Sequence, residues 1–167
     1  RLKGAKAEGR LWKHSTLADI RGLVNDAEIA EFFVLTLVRN PWERALSYWA
    51  WLRAQGFAHP AVARAKALDF AGFLRHPETL ASFRAHPYGS YVRGPDGAER
   101  CDLFARLEHL EEDLAPFEAR LGFRLTPLPR VNESDRPADW RAAYTGDLAA
   151  LVAEVAAEDI ARFGYRF

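Results

Sequence analysis

The sequence predicts an α/β layered domain, with a short parallel sheet flanked by helices. Three observations carry that expectation. "EFFVLTLVR", residues 31–39, is a nearly continuous apolar run rich in β-formers, the pattern of a strand covered on both faces. "CDLFARLE", residues 101–108, reads as a second buried strand. Helical patterns follow both runs, and strands alternating with helices indicate layers.

Taken in order, residues 1–13 are basic and glycine-containing, a loop or a frayed start. "HSTLADIRGLV", residues 14–24, offers Ser15 or Thr16 as a cap before Leu17, Ile20, Leu23 and Val24, the spacing of a short amphipathic helix. The helix after the first strand is justified residue by residue. Asn40 suits the N-cap and Pro41 the first helical position. Glu43 stands three after the cap, as in a capping box. This helix is expected over 41–54, stopping near Gly56.

Residues 57–100 are less regular. "LDFAGFLRHP" predicts a short helix and "YGSYVRGPDGAER" a loop rich in turn residues. "HLEEDLAPFEARLGF" predicts a helix with Gly122 as its C-cap, although Pro116 falls inside it. "TPLPRVNESDRP" is a loop. "LAALVAEVAAEDIARFG" predicts one strongly amphipathic final helix, closed by Gly164.

At 167 residues the chain fits a single domain with a real core. Lys and Arg balance Asp and Glu at 23 each, so no global field favours nucleic acid or an anionic membrane. An anionic ligand would therefore have to be held by local arginines. Cys101 is the single cysteine and no Cys/His cluster has zinc spacing, which points to no internal disulfide, no metal and a cytoplasmic location. No apolar run approaches the roughly 20 residues of a membrane span, and "RLKGAKAEGR" lacks the apolar core of a signal peptide. The chain begins with Arg1 and contains no Met, which leads to the expectation of a processed or partial chain.

The chemistry-bearing stretch is "LTLVRNPWERALSYW", residues 35–49. A strand that ends in Arg39 and turns directly into a helix sets a guanidinium beside backbone N–H groups and a helix dipole that favour an anion. Arginine adds a planar, always-charged fork that matches phosphate. Ser47 lies about two turns into the helix, within reach of the same ligand. Together Arg39 and Ser47 make a phosphate clamp. The competing structural reading gives Arg39 a salt bridge and Ser47 to solvent, and helix capping accounts for Asn40, Pro41 and Glu43 with no ligand.

"VRNPWERALSYW" resembles the 3′-phosphate-binding segment of the sulfotransferases, enzymes that use 3′-phosphoadenosine-5′-phosphosulfate (PAPS). In that family a strand-end Arg and a Ser eight residues later hold the nucleotide's 3′-phosphate, and Arg39 and Ser47 fall on those positions. "KHSTLADI" resembles the His segment of the carbohydrate-type branch, and "CDLFARLEHLEEDL" its strand-then-helix region. "LPRVNESDR" is similar to the loop that follows, and "AEDIARFGYRF" to the family's C-terminal ending. The branch implied is the bacterial one related to Golgi carbohydrate 2-O and 4-O-sulfotransferases.

That resemblance implies a P-loop-kinase-like fold and PAPS as co-substrate with no metal. It also implies a hydroxyl of a carbohydrate or glycoconjugate as acceptor. Such a transfer needs positioning, a base for the hydroxyl proton and positive charge on the leaving oxygen. His14 is the candidate base: a neutral imidazole accepts a proton near physiological pH, and the resemblance places it where related enzymes carry such a histidine. Its structural alternative is a surface or capping residue. His59, His76, His86 and His109 each have a local explanation beside prolines, loops or a helix start. Arg44 reads as structural, pairing with a carboxylate. Trp42, Trp49 and Trp51 read as core or groove wall, and Arg93 as a loop arginine within reach of a phosphate or sugar acid.

One departure matters. The family's 5′-phosphosulfate loop, Lys-Thr-Gly-Gly-Thr-like after a first strand, has no match in the sequence, nor does a Walker GxxxxGK[ST] pattern. "KGAKAEG" is basic but wrongly spaced, and reads as a linker. The expectation is a single sulfotransferase-like domain that is N-terminally incomplete. Two other readings stay open: a non-catalytic module of the same fold binding a glycan or protein partner, and a P-loop kinase relative, which would need a Walker lysine.

Overall fold

A computed structural model of the chain describes residues 6–12, 14–129, 136–137 and 139–167. Its elements are α1 (Asp26–Glu31), β1 (Leu35–Val38), α2 (Pro41–Arg53), α3 (Pro60–Ala67), α4 (Phe70–Arg75), α5 (Pro77–Ala85), β2 (Leu103–Arg106), α6 (Leu110–Leu121), α7 (Gly146–Val155) and α8 (Ala157–Phe163). The protein is thus mixed α/β with a short parallel sheet. Contacts group the chain into two compact units, Arg1–Val38 with His86–Arg124, and Arg39–Ala85 with Leu125–Phe167.

The first unit contains the sheet. β1 runs parallel to β2, with Leu35 opposite Leu103 and Val38 opposite Arg106. Val38 and Ala105 are fully buried. The apolar run is longer than the strand it makes. Phe32 ends α1 and is exposed, while Phe33 stacks on Phe117 of α6, ring centroids 4.7 Å apart. The Val34 amide donates to the Asp102 carboxylate at 2.7 Å. Helix α6 then packs on β2 with Leu114 buried, and the Asp113 carboxylate accepts from the Arg106 amide (2.7 Å) and from Nε and Nη2 on one edge of its guanidinium (2.9 and 2.8 Å). Pro116 does not end α6. It is exposed, as is Glu112, whose carbonyl loses its helical partner, so water can take that carbonyl. Gly122 closes the helix at φ +76°.

Residues 14–24 form successive turns where an amphipathic helix was expected. The Thr16 amide and hydroxyl both donate to the Asp19 carboxylate, at 2.8 and 2.9 Å. Gly22 adopts φ +88°, which a continuing helix cannot accommodate. Residues 6–9 lie against these turns and are not a detached linker: the amides of Glu8 and Gly9 donate to the carbonyls of Arg21 and Asp19 at 2.7 and 3.0 Å. A Cβ on Gly9 would stand 2.2 Å from Asp19 Oδ1, and one on Gly22 2.3 Å from the Lys6 carbonyl oxygen. This close approach of two backbones replaces the helix. Helix α1 begins with a complete capping box, Asn25 with Glu28.

The second unit is helical. Trp42, Ala45 and Leu46 of α2 bury against Phe70, Leu74, Trp140, Leu148 and Val152, while Leu52 joins Ala61, Val62, Ala65 and Phe73. Helices α3 and α5 add order that the sequence reading left irregular. Each opens on a proline preceded by a histidine, and Nδ1 of His59 and His76 accepts an amide of the first turn. The expected single final helix is two, α7 and α8, meeting at Ala156 (φ −113°, ψ 22°). The break lets α7 bury Leu148 and Val152 while α8 delivers Asp159, 2% exposed, to Arg44 of α2 at 3.8 Å.

Candidate anion-binding site

The site lies wholly in the second unit, at the start of α2. Asn40 Oδ1 accepts from the amides of Trp42 (3.0 Å) and Glu43 (3.3 Å), so the N-cap forms as expected. These two donors are therefore committed to Asn40 and are not presented to a ligand. The capping box is a correction: Glu43 turns its carboxylate to arginines instead of back to the cap.

Arg39 reaches Ser47 and Glu43 along the helix. Its Nη1 donates to Ser47 Oγ at 3.2 Å, and its Nη2 to Glu43 Oε1 at 2.5 Å. Glu43 and Ser47, four residues apart, share one face of the first two turns, and Arg39, just ahead of the cap, reaches both. Arg136, 93 positions from Glu43, donates its Nη2 to the same Oε1 at 2.7 Å. The side chains of Arg39, Glu43 and Arg136 are 24%, 17% and 16% exposed, sheltered but open to solvent.

Burial opposes ionisation of Glu43, and hydrogen bonds from Arg39 and Arg136 overcome it, holding the carboxyl below the usual glutamate range. Among the described residues, two guanidiniums meet one carboxylate here. Ser47, accepting from Arg39, keeps its own hydroxyl proton to donate. The arrangement can therefore hold an oxyanion with two charged forks and one hydroxyl, and a carboxylate occupies that role within the chain.

The structure thus brings Arg39 and Ser47 together. His14 belongs to the first unit, where its exposed ring meets Trp12 edge-on at 4.7 Å. Arg93, also in the first unit, pairs its backbone with Glu99 across a tight turn. Arg44 pairs with Asp159 and lies over the Phe83 ring at 5.8 Å, a bracing role. Trp42 is buried and donates to the Ala149 carbonyl at 2.9 Å; Trp51 stacks on Tyr48. Tyr144 donates to the Trp42 carbonyl at 2.7 Å, and burial pushes its phenol up. Burial likewise pushes the Cys101 thiol up, away from nucleophilic use.

Sequence reasoning missed Arg136. It stands at the end of the quoted "LPRVNESDR", of which residues 130–135 lie outside the described residues. Among the described residues no group of three or more His, Cys, Asp or Glu side chains is placed to hold a metal ion, and no helix is long and apolar enough to cross a membrane. Compared with known proteins, the chain matches no family model, no curated protein and no solved structure.

Proposed function

We propose that the chain belongs to a PAPS-dependent sulfotransferase acting on a hydroxyl of a carbohydrate or glycoconjugate, with a P-loop-kinase-like fold and a cytoplasmic location. The observation that supports this best is the convergence of Arg39 and Ser47 at 3.2 Å, with Arg136 facing the same oxyanion position. The fit is to the 3′-phosphate. Arg39 and Arg136 supply charge and Ser47 supplies a donor, and a carboxylate already rests where a phosphate oxygen would. PAPS, when bound, supplies the sulfuryl group. The residues named here bind and orient its 3′ end, and His14 would take the acceptor's proton. Among the described residues nothing matches a 5′-phosphosulfate loop, so the reading rests on the 3′ half.

Calorimetry with adenosine 3′,5′-bisphosphate tests it. Arg39→Ala should weaken binding by about 10–150-fold, the worth of charged hydrogen bonds. Arg44→Ala should cost less than about fivefold, the scale of a modest ion pair. No binding, or equal losses in both variants, would end the proposal. A non-catalytic module of the same fold is the second reading, favoured by Glu43 standing in the fork. Labelled sulfate passing from PAPS to a glycan in the presence of this chain would exclude it.

A further inference from the structure

Among the described residues of this cluster, Glu43 carries the charge of the wrong sign for an anion site. Its place is nevertheless central: a single oxygen, Oε1, receives both guanidiniums, at 2.5 and 2.7 Å. Two guanidiniums brought this close repel, and the carboxylate between them offsets that repulsion. A carboxylate shared through one oxygen is also a thin match for two forks. A tetrahedral oxyanion offers each arginine its own oxygens, and still has one left for the Ser47 hydroxyl.

We propose that Glu43 is a displaceable internal anion, holding Arg39 and Arg136 ready and yielding its place to a phosphate group. The proposal rests on the reading of Arg39, Arg136 and Ser47 as a phosphate clamp, and adds how that clamp selects. The Glu43 side chain is anchored to the same helix as Ser47 and is open to solvent on one side. Rotation about its own bonds can therefore carry the carboxylate out while α2 stays in place. Exchange then favours a group with more charge than the carboxylate it replaces. A monoanion returns only what Glu43 already gives, whereas a phosphate dianion returns more. The cluster discriminates by competition, at a cost in raw affinity.

Calorimetric titration with inorganic phosphate, at constant ionic strength set with potassium chloride, tests this on the full chain. Glu43→Gln keeps the shape and removes the charge. It should bind phosphate about tenfold tighter than the wild type, because the competitor is gone. Equal or weaker binding by E43Q would make Glu43 a fixed brace and overturn the proposal. Should E43Q fail to fold, Glu43→Asp keeps the charge but draws it back by one methylene. A smaller gain in phosphate affinity there supports displacement, and a loss overturns it. A nucleotide arm separates this from the proposed function. A gain confined to adenosine 3′,5′-bisphosphate, absent with adenosine 5′-monophosphate, supports both. Equal gains with both nucleotides keep Glu43 as the displaced anion and overturn the assignment of the clamp to a 3′-phosphate.

Discussion

At the scale of single residues, charge decides between roles that spacing leaves equal. Glu43 sits where a capping-box glutamate belongs, but one backbone N–H is a weak partner beside two guanidiniums, and charge-assisted bonds are about twice as strong as neutral ones. The pairing of Arg39 with Ser47 was legible because Arg39 directly precedes the cap of α2 and Ser47 stands about two turns along that helix, a property of local spacing. Arg136 was not legible, because it meets Glu43 from 93 positions away in the sequence. The same preference for charged partners shapes the first unit. Arg106 holds the Asp113 carboxyl below the usual aspartate range, first through side-chain hydrogen bonds and then through its charge. A carboxyl depressed in the folded state adds stability above its unfolded pKa, near 3.8, and loses it as pH falls through the folded value. Asp113→Asn should therefore lower the melting temperature at pH 7, and the gap from wild type should narrow in melts taken below pH 3.8. A gap that widens with acid would contradict the assignment.

At the scale of elements, punctuation was the legible part. Asn40-Pro41 marked the start of α2, and Gly122 and Gly164 marked the ends of α6 and α8. The two apolar runs marked β1 and β2. The break at Ala156 carries no such mark, since alanine is a strong helix former; packing Asp159 against Arg44 outweighs local preference there. Residues 14–24 failed in the opposite sense. Their apolar spacing suits a helix, but residues 6–9 take up the backbone groups and Gly22 turns the chain at positive φ. Gly122 offers a clean measurement of such a turn. Nothing lies within 4 Å of a Cβ built there, so Gly122→Ala meets only the left-handed backbone cost of about 1–2 kcal/mol. Urea unfolding should report that loss with an unchanged slope. An unchanged midpoint would mean the helix end can re-form without a left-handed residue.

At the scale of the whole molecule, each compact unit is assembled from two stretches of chain. In the second, Trp42, Leu46, Phe70 and Leu74 come from the first stretch, and Trp140, Leu148 and Val152 from the other. Neither stretch closes that core alone. A peptide of residues 39–85 should therefore lack cooperative helical structure by circular dichroism, despite holding α2 to α5. Adding a peptide of residues 125–167 should recover a sigmoidal thermal transition. Cooperative melting by the first peptide alone would show that the helices close a core without their partner stretch.

Asn40 faces two ways. Its oxygen seats the opening turn of α2, while its Nδ2 donates to the Arg166 carbonyl at 3.2 Å; the neighbouring Phe167 ring rests 5.6 Å from that of Trp42. The final three residues are thus a keel under the turn that begins right after Arg39. Trimming the protein behind Gly164, however harmless to the helices it leaves, would unseat the side chain next to the clamp.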